Sequence, residues 1–142
     1  MSVMKATVTM GQDTRWEGVS GSGHRLTVDG PPEAGGKNEG FRPMELMLLG
    51  LGMCMGYDMV RILRRMRKEV IGYQIQLTGQ RAEDPPSIYT EVILEHVITG
   101  KGLSEASVER ALDLAESKYC SASAMFSKTA TLVNKYRIEE IQ

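Results

Sequence analysis

Pro43-Met44-Glu45-Leu46-Met47-Leu48-Leu49-Gly50-Leu51-Gly52-Met53-Cys54-Met55-Gly56-Tyr57-Asp58-Met59-Val60-Arg61-Ile62-Leu63-Arg64-Arg65-Met66-Arg67-Lys68 is the stretch on which the fold turns. Proline suits the first turn of a helix, where its missing N–H costs nothing. The spacing predicts one helix from Pro43 to about Lys68. Its first half is apolar all round, which predicts burial on every side. In its second half Met59, Val60, Leu63 and Met66 oppose Arg61, Arg64, Arg65 and Lys68. Gly50, Gly52 and Gly56 interrupt the helix, each at a cost of roughly 1 kcal/mol relative to alanine. Three such residues predict that another backbone or a ligand approaches closely.

On the N-terminal side, Lys5 to Met10 and Arg25 to Val28 read as strands around a polar segment, with hairpin-turn chemistry from Gly18 to His24. Asp29 to Gly40 is a loop by its proline and glycine content, and a long one for a compact domain. On the C-terminal side, Val70 to Gln80 and Ile88 to Thr99 alternate as strands, separated by the turn Glu83 to Ser87. Val92, Leu94, His96 and Ile98 share one face of the second of these. Ser104 can N-cap a helix whose apolar face is Val108, Ala111, Leu112, Ala115 and Tyr119. A short apolar segment follows near Met125 and Phe126, and Thr131 to Ile138 closes the chain as a strand. No repeat or linker divides residues 1–142, so the expectation is a single domain of α+β class.

At 142 residues, the chain can bury about two thirds of its unfolded surface and needs neither disulfide nor metal to fold. A net charge of −1 offers no basic excess for nucleic acid or an anionic membrane. No apolar export signal opens the chain, and the Met44 to Met55 run is shorter than the roughly 20 residues of a bilayer span. These features predict a cytoplasmic protein. Ten methionines against two phenylalanines predict a soft core, with some methionines near Cys54 available to line an apolar pocket.

Motifs for cofactors are lacking. Gly50 to Gly56 is one residue too long for a dinucleotide fingerprint and follows no strand, while Gly35-Gly36-Lys37-Asn38 lacks the glycine and hydroxyl residue of a phosphate loop. No Cys or His pair has close metal-ligand spacing, so neither cofactor nor metal is expected. His24 reads as solvated and His96 as a hydrogen-bonded core histidine. The only two cysteines, Cys54 and Cys120, are either inert small apolar residues or a reactive thiol with its resolving partner. In a reducing compartment a disulfide between them would be transient and catalytic. A Cys54 thiolate needs a cation, because Asp58 one turn on and Arg61 two turns on oppose each other. Arg15 is the leading candidate, ahead of Arg25 and Arg42. If the second helix persists to Cys120, Glu109, Asp113 and Glu116 lie on its side and keep that sulfur protonated.

At these residues the chain resembles the OsmC/Ohr family of cysteine-based hydroperoxide reductases. The matching pieces are Arg42-Pro43-Met44-Glu45-Leu46 ahead of Gly50-Leu51-Gly52-Met53-Cys54, the strand end His96 to Leu103, and the helix from Ala111 that ends in Lys118-Tyr119-Cys120-Ser121. The resemblance implies antiparallel sheets wrapped around a long central helix in an intertwined homodimer, with sites at the subunit interface. It implies that Cys54 attacks an organic hydroperoxide, that Cys120 resolves the sulfenic acid, that Arg15 holds the thiolate, and that an external dithiol recycles the disulfide. The family's peroxidases carry glutamate directly after the proline. Here that place is Met44 and the acid is Glu45, which a continuous helix sets roughly 13 Å along the axis from Cys54. Glu45 could then orient the arginine only if the helix starts later or the partner chain supplies it. Ser121 stands where the peroxidases have proline. These departures motivate an alternative, a non-peroxidase dimer of this fold that binds a small apolar or thiol-reactive molecule.

Overall fold

Threonines, valines and a tryptophan around two turns build three short strands at the start of the chain. They are β1 (Ala6–Met10), β2 (Trp16–Ser20) and β3 (Arg25–Val28), paired antiparallel in that order. The computed structural model describes residues 2–142, which divide into two compact units, residues 2–47 and Leu48–Gln142. The sequence pattern predicts no strand at β2, because Gly18 and Ser20 look like turn residues. Pairing on both edges overrides that local preference: Gly18 lies opposite Val8 and Leu26. The turn itself is shorter, with Gly23 at φ 89° and the Ser20 N–H bonded to the His24 carbonyl.

The long loop after β3 is organised by one buried carboxylate. Asp29, 3% exposed, accepts the Thr14 hydroxyl at 2.6 Å and the backbone N–H groups of Gly30, Lys37 and Glu39 at 2.8, 3.0 and 3.1 Å. The Thr14 bond above all, with those N–H groups, holds its carboxyl well below the usual carboxylate range against the opposing effect of burial. The fold also requires Gly36, since a Cβ there would fall on the Gly30 carbonyl.

Helix α1 (Pro43–Arg65) starts in the first unit and continues into the second. The Arg42 N–H bonds the Glu45 carboxylate at 2.8 Å, satisfying a donor that the helix start leaves open. Arg67 at φ 63° and the Lys68 N–H on the Leu63 carbonyl end the helix slightly before the predicted Lys68. Leu51, Met55, Met59 and Leu63, one turn apart, are fully buried. Gly52 and Gly56 seat the helix on strand β4 (Glu69–Arg81): a Cβ would lie 2.6 Å from Leu77 Cδ1 at the first and 3.4 Å from Ile75 Cδ1 at the second. The close approach predicted from the glycines is made by side chains of a strand of the same chain rather than by a backbone or a ligand, and Gly50 has nothing within 4 Å. Burial on every side does not occur. Met53 is 69% and Tyr57 68% exposed, because this chain's own sheet covers only one side of the helix. By length and composition alone α1 could cross a membrane. Its stripe of buried residues and its seat on β4 are those of a helix packed in a folded domain.

Strand β4 pairs antiparallel with β5 (Tyr89–Lys101), and β5 pairs in parallel with β6 (Thr131–Glu140). The second sheet is thus mixed rather than antiparallel, because β6 is reached through a helical crossover, which joins parallel neighbours. That crossover is α2 (Glu105–Leu114), a π-turn (Ala115–Tyr119) and α3 (Ser121–Phe126). Ser104 caps α2 as its sequence predicts: its hydroxyl accepts from the Ser107 N–H at 3.1 Å, and Ser107 Oγ accepts from the Ser104 N–H. On β5 the period-two face is confirmed, with Val92, Leu94, His96 and Ile98 all buried.

His96 is the hydrogen-bonded core histidine its position predicts. Asn134 Oδ1 can only accept, so the bond at 2.8 Å makes His96 Nε2 the donor, and Nδ1 then accepts from the Tyr73 hydroxyl at 2.6 Å. Asn134 Nδ2 passes on to Glu116 at 3.2 Å. Burial pushes the His96 imidazole down and the Tyr73 phenol up, so both are neutral links of this chain. An unfolded histidine takes up a proton near pH 6.5, whereas the folded one stays neutral to lower pH. Unfolding free energy should therefore fall as the pH drops below about 6.5, and His96→Gln should flatten that slope in urea titrations at several pH values. The loss tied to Asp29 sets in only below about pH 4, where an unfolded aspartate protonates.

Candidate thiol site

Cys54 is presented by α1 on the side that its two seated glycines leave free of β4, and Asp58 follows one turn on. Cys120 comes from the crossover. Its N–H reaches back to the Ala115 carbonyl at 2.7 Å, five residues away, so the last turn of this helical segment holds one extra residue. The backbone then becomes extended at Cys120 (φ −77°, ψ 102°), and the sulfur accepts the Ser123 N–H at 3.3 Å as the N-cap of α3. Cys120 is 2% exposed and Cys54 half-buried.

Cys54 Sγ, Cys120 Sγ and an Asp58 carboxylate oxygen all lie within 4.8 Å of one another. The chain thus brings its two cysteines together, 66 positions apart in sequence, together with a carboxylate that is itself buried. Burial first, and the Cys54 sulfur after it, push the Cys120 thiol up, while hydrogen bonding from Ser123 pulls it partly back. The expectation that Glu109, Asp113 and Glu116 keep this sulfur protonated is corrected in its cause. The π-turn shifts the helical phase, Glu109 and Glu116 bond Tyr136 and Asn134, and Asp113 is exposed. Glu109 instead pushes the Tyr136 phenol up to about 12.

Among the other candidates, Arg15 pairs with Glu39 at 3.1 Å and Glu45 is occupied by the Arg42 N–H. The unbroken helix from Pro43 leaves Glu45 in the first turn, nine residues before Cys54. Arg25 pairs with Glu17, and Arg42 bonds Asn38 and the carbonyls of Asp29 and Gly40. The residue that the sequence reading left outside the site is Asp58. Its signal was present in the four-residue spacing from Cys54, which places both on one helix face.

A separate groove of about 720 Å³ runs along α1 and β4, lined by Leu49, Met53, Tyr57, Tyr73, Ile75 and Leu77 among others. Cys54 and Cys120 are not in its lining. The methionine-rich surface near the thiol is therefore only partly realised: Met53 faces the groove, while Met55 is core.

Residues 36–134 match the family model for OsmC-like proteins. The chain belongs to that family. Protein YhfA of Escherichia coli (strain K12) is 35% identical over 135 residues, covering 95% of this chain and 98% of that protein. A hypothetical protein from Aquifex aeolicus has the same fold, with TM-score 0.87 and 29% identity over the full length of both chains. A structure described as an organic hydroperoxide resistance protein OsmC from Legionella pneumophila aligns with TM-score 0.73 over 96% of this chain and 97% of its own, at 16% identity. The OsmC-like fold, with two sheets and a long helix, is thus shared with both of these solved structures. In the reduced protein, iodoacetamide should alkylate Cys54 several-fold faster than the more buried Cys120, read by peptide mass spectrometry. Equal rates would contradict the asymmetry between the two thiols.

Proposed function

We propose that this OsmC-like protein is a thiol peroxidase for organic hydroperoxides. The observation that carries the reading is the approach of the Cys54 and Cys120 sulfurs to within 4.8 Å. The Cys54 thiolate attacks one peroxide oxygen, the O–O bond breaks, and the alkoxide leaves as the alcohol after taking up a proton. Cys54 is now a sulfenic acid. The Cys120 sulfur displaces its oxygen as water, forming the disulfide, and an external dithiol returns both thiols by exchange. The half-exposed sulfur suits the attacking role. The buried one, whose proton affinity is raised, suits the resolving role, since it need ionise only at the second step. Closing to a disulfide of about 2.05 Å requires a movement of a few ångströms at most. The extended backbone between the π-turn and α3 is where such a shift is least costly.

Arg15 is the proposed cation for the thiolate, kept oriented by Glu39 rather than by Glu45. A homodimer supports this arrangement. The exposed residues Leu49, Met53 and Tyr57 of α1 line one groove with Ile75 and Leu77 of β4, an apolar area of the kind that a second copy covers. Cytoplasmic residence follows from a disulfide that must be reducible. The non-peroxidase alternative is favoured by one observation, the use of Glu45 at the helix start.

Purified protein with cumene hydroperoxide and a dithiol such as dihydrolipoamide should consume peroxide. Cys54→Ser should abolish turnover, and Cys120→Ser should accumulate a sulfenic acid trapped by dimedone. Turnover in wild type no faster than in Cys54→Ser would favour the binding protein instead.

A further inference from the structure

The thiol pair does not stand alone, and its third member has no role in the peroxidase scheme. Asp58 is 7% exposed, a buried carboxylate beside two thiols. Its nearest cation is Arg61, 4.0 Å away and itself partly solvated. A buried carboxylate normally has close charged or hydrogen-bonding partners. Here two sulfurs that become anions on deprotonation lie within 4.8 Å of it. Three groups able to carry negative charge within 4.8 Å call for protons or for a cation among them.

We propose that Cys54, Asp58 and Cys120 form a three-ligand site for a thiophilic divalent cation of the zinc class. Cys54 and Asp58 stand four residues apart on one helix face, the spacing by which a single helix supplies two ligands to one metal. Cys120 is delivered from the crossover to complete the set. Bond lengths of about 2.3 Å to sulfur and 2.0 to 2.2 Å to a carboxylate oxygen set tetrahedral donors about 3.5 to 3.8 Å apart. The three donor separations therefore need to shrink by no more than roughly 1.3 Å, which side-chain rotation supplies. Binding forms two metal–thiolate bonds and one metal–carboxylate bond, and any proton still on either sulfur leaves to solvent. Two thiolates, a carboxylate and a divalent ion leave one negative charge, which Arg61 offsets. The half-exposed side of Cys54 leaves the fourth position to water. Spacing rules overlook this site because they compare near neighbours in sequence, and the third ligand is remote. The site goes beyond the peroxidase reading and regulates it: a cation held by both sulfurs withholds them from peroxide.

The test uses the full chain, reduced, chelator-treated and kept free of oxygen, titrated with Cd²⁺ or Co²⁺. One equivalent should produce a saturating thiolate-to-metal charge-transfer band. Cys54→Ser or Cys120→Ser should remove most of it. Asp58→Asn should weaken binding by at least about tenfold, as loss of even an outer partner does at metal sites, while exposed Asp113→Asn should bind as wild type does. Unaltered affinity in a folded Asp58→Asn variant, or no saturation at one equivalent, overturns the proposal. Wild type gives a readout that needs no variant: one equivalent of Zn²⁺ should protect both thiols from iodoacetamide, and equal alkylation with and without zinc also overturns it. Peroxide consumption by the metal-free protein is measured separately, so failure of this site and failure of the peroxidase reading are distinguishable.

Discussion

The rotation of α1 about its own axis is the constraint on which the thiol chemistry depends. Gly52 sets it, because a Cβ there would lie 2.6 Å from Leu77 Cδ1 of β4, while Gly56 meets Ile75 at ordinary contact distance. With that side fixed, Leu51, Met55, Met59 and Leu63 are turned into the core, and each contributes about 1.5 to 3 kcal/mol on burial. The same rotation directs Cys54 and Asp58 toward the crossover and leaves Met53 and Tyr57 facing outward. Shifting the helix register by one residue would rotate every side chain by about 100° and separate the two sulfurs.

The partner thiol depends on a different local device. A regular continuation of α2 would carry Cys120 on the phase of its acidic face. The π-turn inserts a residue and ends in an extended Cys120, so the sulfur becomes both a buried side chain and the cap of α3. Sparse, irregular turns of this type recur at functional sites, where geometry is set at the expense of helical regularity. The His96 chain bonds the same segment through Glu116, joining the π-turn to the sheet. The crossover is thereby braced on the N-terminal side of the residue that must move to form a disulfide.

Much of this architecture was legible in the sequence, for identifiable reasons. Ser104 announces α2 because its capping bond is local, and the buried face of β5 is visible because alternation there is unbroken. His96 reads as a core histidine from the apolar residues on its face. The strand at Trp16 to Ser20 is hidden because its glycine and serine are chosen by pairing rather than by local preference. Burial of the apolar half of α1 is overestimated because composition does not say how much of a helix one chain can cover. The pairing of Cys54 with Cys120 was one of two readings of the cysteines and was favoured only through the family resemblance, since no local spacing encodes their approach. Asp58 was visible as a neighbour of Cys54, but its burial, which gives it meaning, is a tertiary property.

Within one molecule, the proposed chemistry requires two sulfurs close enough to join. Its most direct test is the mass of the intact chain after one equivalent of organic hydroperoxide, followed by mapping of linked peptides. The expected result is loss of two hydrogens and a single cross-link between the Cys54 and Cys120 peptides. A chain that retains both free thiols, or gains oxygen at Cys54 without forming that link, would contradict it.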